Sequence, residues 1–184
     1  MRKTQEVEVK YPLYNPENVI ERLKKIESKK TLDNKHQSDF YFTPTSEDFF
    51  AKDIVSEWLR IRVVDEKNIM CYKRARVCDG QTYHDEYEVY IDDLKSMELI
   101  LQAVNIHKTV CVEKTRSSWL LNDIEVSIDF VRELGFYIEL EKTKAIDIKD
   151  LSVVYAEFQE VLNMLEANVG IRELRGYPSL IKNI

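Results

Sequence analysis

Glycine and proline are scarce in this chain, four of each among 184 residues. So few breakers leave no proline- or glycine-rich linker, and a single domain spanning residues 1–184 is expected. Cysteine is equally sparse. Cys71, Cys78 and Cys111 are an odd set with no C-x-x-C spacing, which excludes a disulfide framework. They read as reduced, small apolar groups in a cytoplasmic protein. His36, His84 and His107 do not fall at ligand spacings around them, so a zinc site with the cysteines is not expected. No apolar run reaches the roughly 20 residues of a membrane span. The opening Met-Arg-Lys-Thr-Gln-Glu lacks the apolar core of a signal peptide. Positive charge is not in excess. Lys and Arg number 27 against 33 Asp and Glu, a formal net charge of -6, which argues against nucleic-acid binding through a broad basic surface.

What is present is strand-like sequence dense in charge. Charged residues make up 33% of the chain and hydrophobic ones 44%, enough apolar content for a sizeable core. β-Branched and aromatic enrichment marks eight candidate strands: Gln5 to Tyr11, His36 to Thr43, Glu57 to Val64, Asn68 to Arg76, Tyr83 to Ile91, Thr109 to Leu120, Ile124 to Val131 and Phe136 to Thr143. Three helical patterns interrupt them. Asn15-Pro16-Glu17 reads as a cap, a first-turn proline and an early acid, followed by Val19, Ile20, Leu23 and Ile26 at helical spacing. Asp92 or Asp93 caps a second helix whose apolar stripe is Leu94, Met97, Leu101 and Val104. A third runs from about Asp150 to Asn168, with Val154, Phe158, Val161, Leu162 and Leu165 facing inward. Tyr177 to Ile184 forms a short tail without a clear pattern. The fold class is α+β, mainly β: an eight-stranded antiparallel barrel with helices packed outside.

Alternation along the strands separates charged from apolar faces. Glu6, Glu8 and Lys10 share one side of the first strand, about 7 Å apart, and Val7, Val9 and Tyr11 take the other. Arg60 and Arg62 oppose Leu59, Ile61 and Val63. Lys73 shares a face with Cys71, Glu86 with Glu88, and Lys114 with Arg116. Glu125, Ser127 and Asp129 oppose Val126, Ile128 and Phe130, and Glu139 and Glu141 oppose Ile138 and Leu140. Any one such pair is ordinary for a sheet with one wet side. Taken together, the apolar faces need covering, and three amphipathic helices are available to cover them. Helices outside a curved sheet force the charged faces inward. Desolvating that many charges costs several kcal/mol per ion, so the interior must be a hydrated lumen that holds a charged ligand. Arg and Lys converging from several strands suit a polyphosphate. Carboxylates from the first and last strands suit Mg²⁺ or Mn²⁺, which take oxygen ligands.

The ordered residues resemble the CYTH superfamily, the triphosphate tunnel metalloenzymes, a group that includes class IV adenylyl cyclases and thiamine triphosphatases. The hallmark E-x-E-x-K is Glu6-Val-Glu8-Val-Lys10. The match continues through Leu59-Arg60-Ile61-Arg62, Lys73, Tyr87-Glu88, Glu113-Lys114-Thr115-Arg116, Ser127-Ile128-Asp129 and Gly135-Phe136-Tyr137-Ile138-Glu139-Leu140-Glu141. Gln37-Ser38-Asp39 is similar to the family's second-strand segment. The resemblance implies an eight-stranded tunnel that binds a triphosphate and two divalent ions, Mg²⁺ or Mn²⁺. It implies Glu6, Glu8, Asp129, Glu139 and Glu141 as metal ligands, and Lys10, Arg60, Arg62, Lys73, Lys114 and Arg116 as phosphate ligands. Glu6, Glu8, Lys73 and Asp129 would carry the catalysis, with Asp39, Glu86 and Glu88 in support. The ending resembles the class IV cyclase branch, which also implies a homodimer.

The expected activity is therefore conversion of ATP to cAMP and pyrophosphate. The alternatives are a triphosphatase acting on tripolyphosphate, thiamine triphosphate or a nucleoside triphosphate, and a non-catalytic nucleotide- or polyphosphate-binding module. Nucleic-acid and membrane partners are not expected. His84-Asp85 reads as a surface turn pair, Trp58, Trp119 and Phe130 as core, and Tyr177 as a residue placed to close one tunnel mouth.

Overall fold

The computed structural model describes residues 2–52, 55–142, 151–182 and 184. Eight strands alternate with short helices: β1 (Arg2–Pro12), α1 (Pro16–Lys25), β2 (Lys29–Pro44), β3 (Glu57–Val64), β4 (Lys67–Cys78), β5 (Gln81–Ile91), α2 (Leu94–Ala103), β6 (Ile106–Leu121), β7 (Ile124–Val131), β8 (Gly135–Lys142), α3 (Leu151–Met164) and α4 (Tyr177–Lys182). The strands close into a barrel in the order β1-β5-β4-β3-β2-β6-β7-β8, and every pairing is antiparallel. β1 seals it by changing partner midway. Its first half pairs with β5 as far as Glu6, which lies opposite His84. From Val7 it pairs with β8, so that Glu8 faces Glu141 and Lys10 faces Glu139.

Tight hairpins set the registers. Asp79-Gly80 joins β4 to β5 with both residues at positive φ, 50° and 76°. Asp65 turns β3 into β4 and Asn122 turns β6 into β7 in the same left-handed region, where Asn and Asp are tolerated.

The apolar core lies outside the sheet. Val7, Val9, Ile124, Val126, Ile128, Ile138 and Leu140 pack with Val19 and Leu23 of α1 and Val154, Phe158, Val161 and Leu162 of α3. A second group joins Phe42, Leu59 and Ile61 to Phe49, Phe50 and Leu101. That second group continues inside the barrel through Tyr41, Val112, Val131, Tyr137 and Tyr177, so part of the lumen is apolar.

Several local expectations are corrected. Asp93, not Asp92, caps α2 by accepting from Ser96 N at 3.0 Å. Asn15 sits at the α1 N-cap position but makes no cap bond. Its amide bridges to the segment after α3, donating to Glu166 O at 2.9 Å and accepting from Asn168 N at 2.8 Å. Val104 leaves the α2 stripe and is 58% exposed, because the helix ends at Ala103. Of the three aromatics read as core, Trp119 is buried. Phe130 is 44% exposed and pairs with Phe136 on the outer face, and Trp58 lines the lumen. α3 ends at Met164, short of Asn168. Thr143 and Asp150 lie outside the described residues.

Candidate active site

Eight strands contribute their charged faces to one cavity of about 560 Å³. The cross-strand register builds it pair by pair. Lys73 lies opposite Glu86, Cys71 opposite Glu88, Arg62 beside Asp39, and Arg116 opposite Asp129. The alternation that places Val7 and Val9 in the outer core turns Glu6, Glu8 and Lys10 inward. Arg74 and Arg76 point outward, as the opposite parity requires, and pair with Glu57 and Asp85.

Inside, acids and bases neutralise one another in three groups. Asp39 accepts two 2.7 Å bonds from Arg62, with Arg60 at 3.7 Å. Asp129 is fully buried and accepts from Arg116 at 2.6 and 2.7 Å, Lys114 at 3.0 Å and the Tyr177 hydroxyl at 2.9 Å. Glu139 bridges this group to Lys10 at 3.3 Å and to Arg116 at 3.0 Å. In the third group Lys73 contacts Glu6 and lies 3.1 Å from Glu8 and 3.7 Å from Glu86. All fourteen residues expected in the site are near this lumen, and all but Asp39 and Asp129 line the cavity surface itself. Those two lie behind the arginines and hold them in place.

Proton affinities follow from burial and from neighbours. Burial opposes charge on Glu8, but Lys73 and Lys10 outweigh it and bring its carboxyl down to about 2. Asp129 is likewise lowered to about 2, since Arg116 and Lys114 outweigh its burial. Burial, reinforced by the charges of Glu8 and Glu139, pushes Glu141 up to about 7. Glu6 is also raised, by burial and by the nearby Glu141. Lys114 falls to about 7 because it is buried beside Arg116. Glu141 and Lys114 are thus both shifted toward neutrality, as groups in functional clefts often are.

Among the described residues, three donor sets have ligand atoms within 4.8 Å of one another: Glu6, Glu8 and His84; Glu8, Glu139 and Glu141; and Cys71, Glu86 and Glu88. The second is all carboxylate and fits a hard divalent cation. Asp129 belongs to none of the three sets.

Three residues depart from the sequence reading. His84 and Asp85 are buried rather than a surface pair. The imidazole of His84 lines the cavity, which the alternation Thr82, His84, Glu86, Glu88 already encodes. Arg172 also lines the cavity, donating to Glu8 O at 3.2 Å and to the Tyr155 hydroxyl at 3.0 Å. It sits in an irregular segment after α3, where no periodicity could point to it. Tyr177 does enter the lumen, stacked edge-on to Tyr137 at 5.1 Å with Lys10 4.3 Å over its ring.

The sequence matches the CYTH domain over residues 4–177, and the chain belongs to that family. It is 34% identical over 160 residues to a Methanocaldococcus jannaschii protein named "putative adenylate cyclase", covering 87% of this chain and 89% of that one. Its fold resembles a crystal structure from Vibrio parahaemolyticus, also called a "putative adenylate cyclase", with a TM-score of 0.81 at 17% identity, covering 98% and 99% of the two chains. It also resembles HpAC1 from Hippeastrum, described as having "a dominant triphosphatase activity", with a TM-score of 0.63 at 14% identity, covering 97% and 93%. No described helix is long and apolar enough to cross a membrane.

Proposed function

We infer that the tunnel converts ATP to cAMP and pyrophosphate with the help of divalent ions. The observation that carries this reading is the unevenness of the lining. At one end of the cavity, on the strands that carry Arg60, Lys73 and Glu86, the lining is Ser56 before β3, Trp58 at its start, Ala75 and Val77 at the end of β4 and Thr82 at the start of β5, joined by Leu174 and Gly176. Such an uncharged stretch with Trp58 suits the base of a nucleotide and has no counterpart in inorganic tripolyphosphate. The cavity volume is also in the range that holds a nucleotide-sized ligand.

In this reading Arg60, Arg62, Lys114 and Arg116 hold the phosphates, with Lys10 and Lys73 at the flanks. Asp39 and Asp129 keep the guanidinium groups preorganised, so that little reorganisation accompanies charge build-up in the transition state. Glu6, Glu8, Glu139 and Glu141 hold Mg²⁺ or Mn²⁺, two ions in all, which would neutralise phosphate charge and acidify the attacking hydroxyl. The ribose 3′-oxygen bonds to the α-phosphorus, the α–β bridging bond breaks, and pyrophosphate leaves. The hydroxyl proton passes to water in the hydrated lumen.

The second reading is a triphosphatase, favoured by the activity described for the Hippeastrum protein of the same fold. Incubation with ATP and Mn²⁺ and separation of the products decides. cAMP with pyrophosphate is expected. ADP with phosphate, or far faster turnover of tripolyphosphate, overturns cyclisation. Metal-dependent binding without any turnover would make the chain a binding module.

A further inference from the structure

Most of the lumen's polar groups are accounted for by the ion pairs already described. His84 is not. It is 7% exposed, and its Nδ1 is buried with no hydrogen-bond partner. An unsatisfied buried imidazole nitrogen is costly unless something else engages the ring. The ring is held edge-on to Trp58, centroids 5.5 Å apart and planes at 81°. In the barrel register His84 stands directly opposite Glu6. One ring nitrogen and one oxygen each of Glu6 and Glu8 lie within 4.8 Å of one another.

We propose that His84 supplies a nitrogen ligand to a divalent ion held with Glu6 and Glu8, making this end of the tunnel selective for a transition metal such as Mn²⁺ over Mg²⁺. The geometry and the donor chemistry agree. Mg²⁺ takes oxygen ligands and dehydrates reluctantly, whereas first-row transition ions also accept imidazole nitrogen, Mn²⁺ the most weakly of them. The second carboxylate set, Glu8 with Glu139 and Glu141, has no nitrogen and does not discriminate in this way. The two sets share Glu8, so the tunnel has one mixed end and one oxygen-only end. Lys73, now against Glu6 and Glu8, marks where these acids focus their field, and it keeps Glu86 as a partner when an ion enters.

The inference rests on the reading that the tunnel carboxylates bind divalent ions. The test is pulsed EPR on the protein loaded with Mn²⁺, together with calorimetric titration of Mn²⁺ and Mg²⁺ into wild type, His84→Gln and His84→Asp. Wild type is expected to show nitrogen hyperfine coupling on the bound Mn²⁺, and both variants are expected to lose it. The preference for Mn²⁺ over Mg²⁺ should fall by about tenfold or more in His84→Gln, the scale on which such sites respond to altered ligation. His84→Asp should bind both ions through oxygen with little preference. Unchanged unfolding temperatures would establish that the variants fold. Tight Mn²⁺ binding without nitrogen coupling in wild type, or a preference for Mn²⁺ in His84→Gln unchanged from wild type, overturns the nitrogen ligand alone. Absence of any Mn²⁺ binding overturns the metal-dependent reading with it.

Discussion

Glu141 shows how one side chain in this lumen trades stability for function. Its folded pKa of about 7 lies above its ordinary 4.5. Between these values the native protein keeps a proton that the unfolded chain releases, so metal-free stability falls as pH rises through this window and levels off above it. The shift corresponds to at most roughly 3 kcal/mol. Urea unfolding in EDTA at pH 5 and pH 8 should show Glu141→Gln gaining roughly 2–3 kcal/mol on wild type across that interval, the opposite-signed titrations of His84 and Lys114 being common to both proteins. At this scale the phosphate and metal candidates were legible in the sequence because period-2 alternation fixes which side chains share a face. His84 was legible by the same rule, yet the adjacent Asp85 made the pair look like a turn. The distinction between Asp129 as a ligand and Asp129 as an arginine anchor was not legible, since it depends on three partners brought from β6 and α4.

The elements show where pattern reading stops. β3 and β7 run as their alternation predicts, from Glu57 to Val64 and from Ile124 to Val131. β2 starts at Lys29, earlier than its apolar pattern, because Lys29 to Lys35 pair with the far end of β6 across register shifts. That stretch is rich in Lys, Asp and Asn, with Asn34 at φ 47°, and tertiary pairing overrides its weak strand propensity. α3 carries its inward stripe as expected, and Phe158 at its centre is fully buried against the outer sheet face. Phe158→Ala should cost about 3–5 kcal/mol by chemical denaturation. A loss under about 1 kcal/mol would mean the barrel does not depend on α3 for its outer cover. α4 was unreadable from sequence, because six residues give too short a period. Its place is set by Tyr177 reaching Asp129 and by Lys182 pairing with Asp48.

For the whole molecule, the inversion of the usual plan is the point: greasy residues outside the sheet beneath helices, charges within. A chain with net charge -6 thereby gathers Arg60, Arg62, Lys114 and Arg116 in its interior, balanced there by Asp39, Asp129 and Glu139. The apolar part of the lumen around Tyr137 and Tyr177 was not expected, since both tyrosines belong to faces read as polar or as tail. The most direct measurement is a crystal structure of the protein with α,β-methylene ATP and Mn²⁺. The account predicts the triphosphate inside the tunnel, within hydrogen-bonding distance of Arg60, Arg62, Lys114 and Arg116, and the base against the wall that carries Trp58. An analogue bound on the outer surface, with those four side chains still paired only to Asp39 and Asp129, would contradict it.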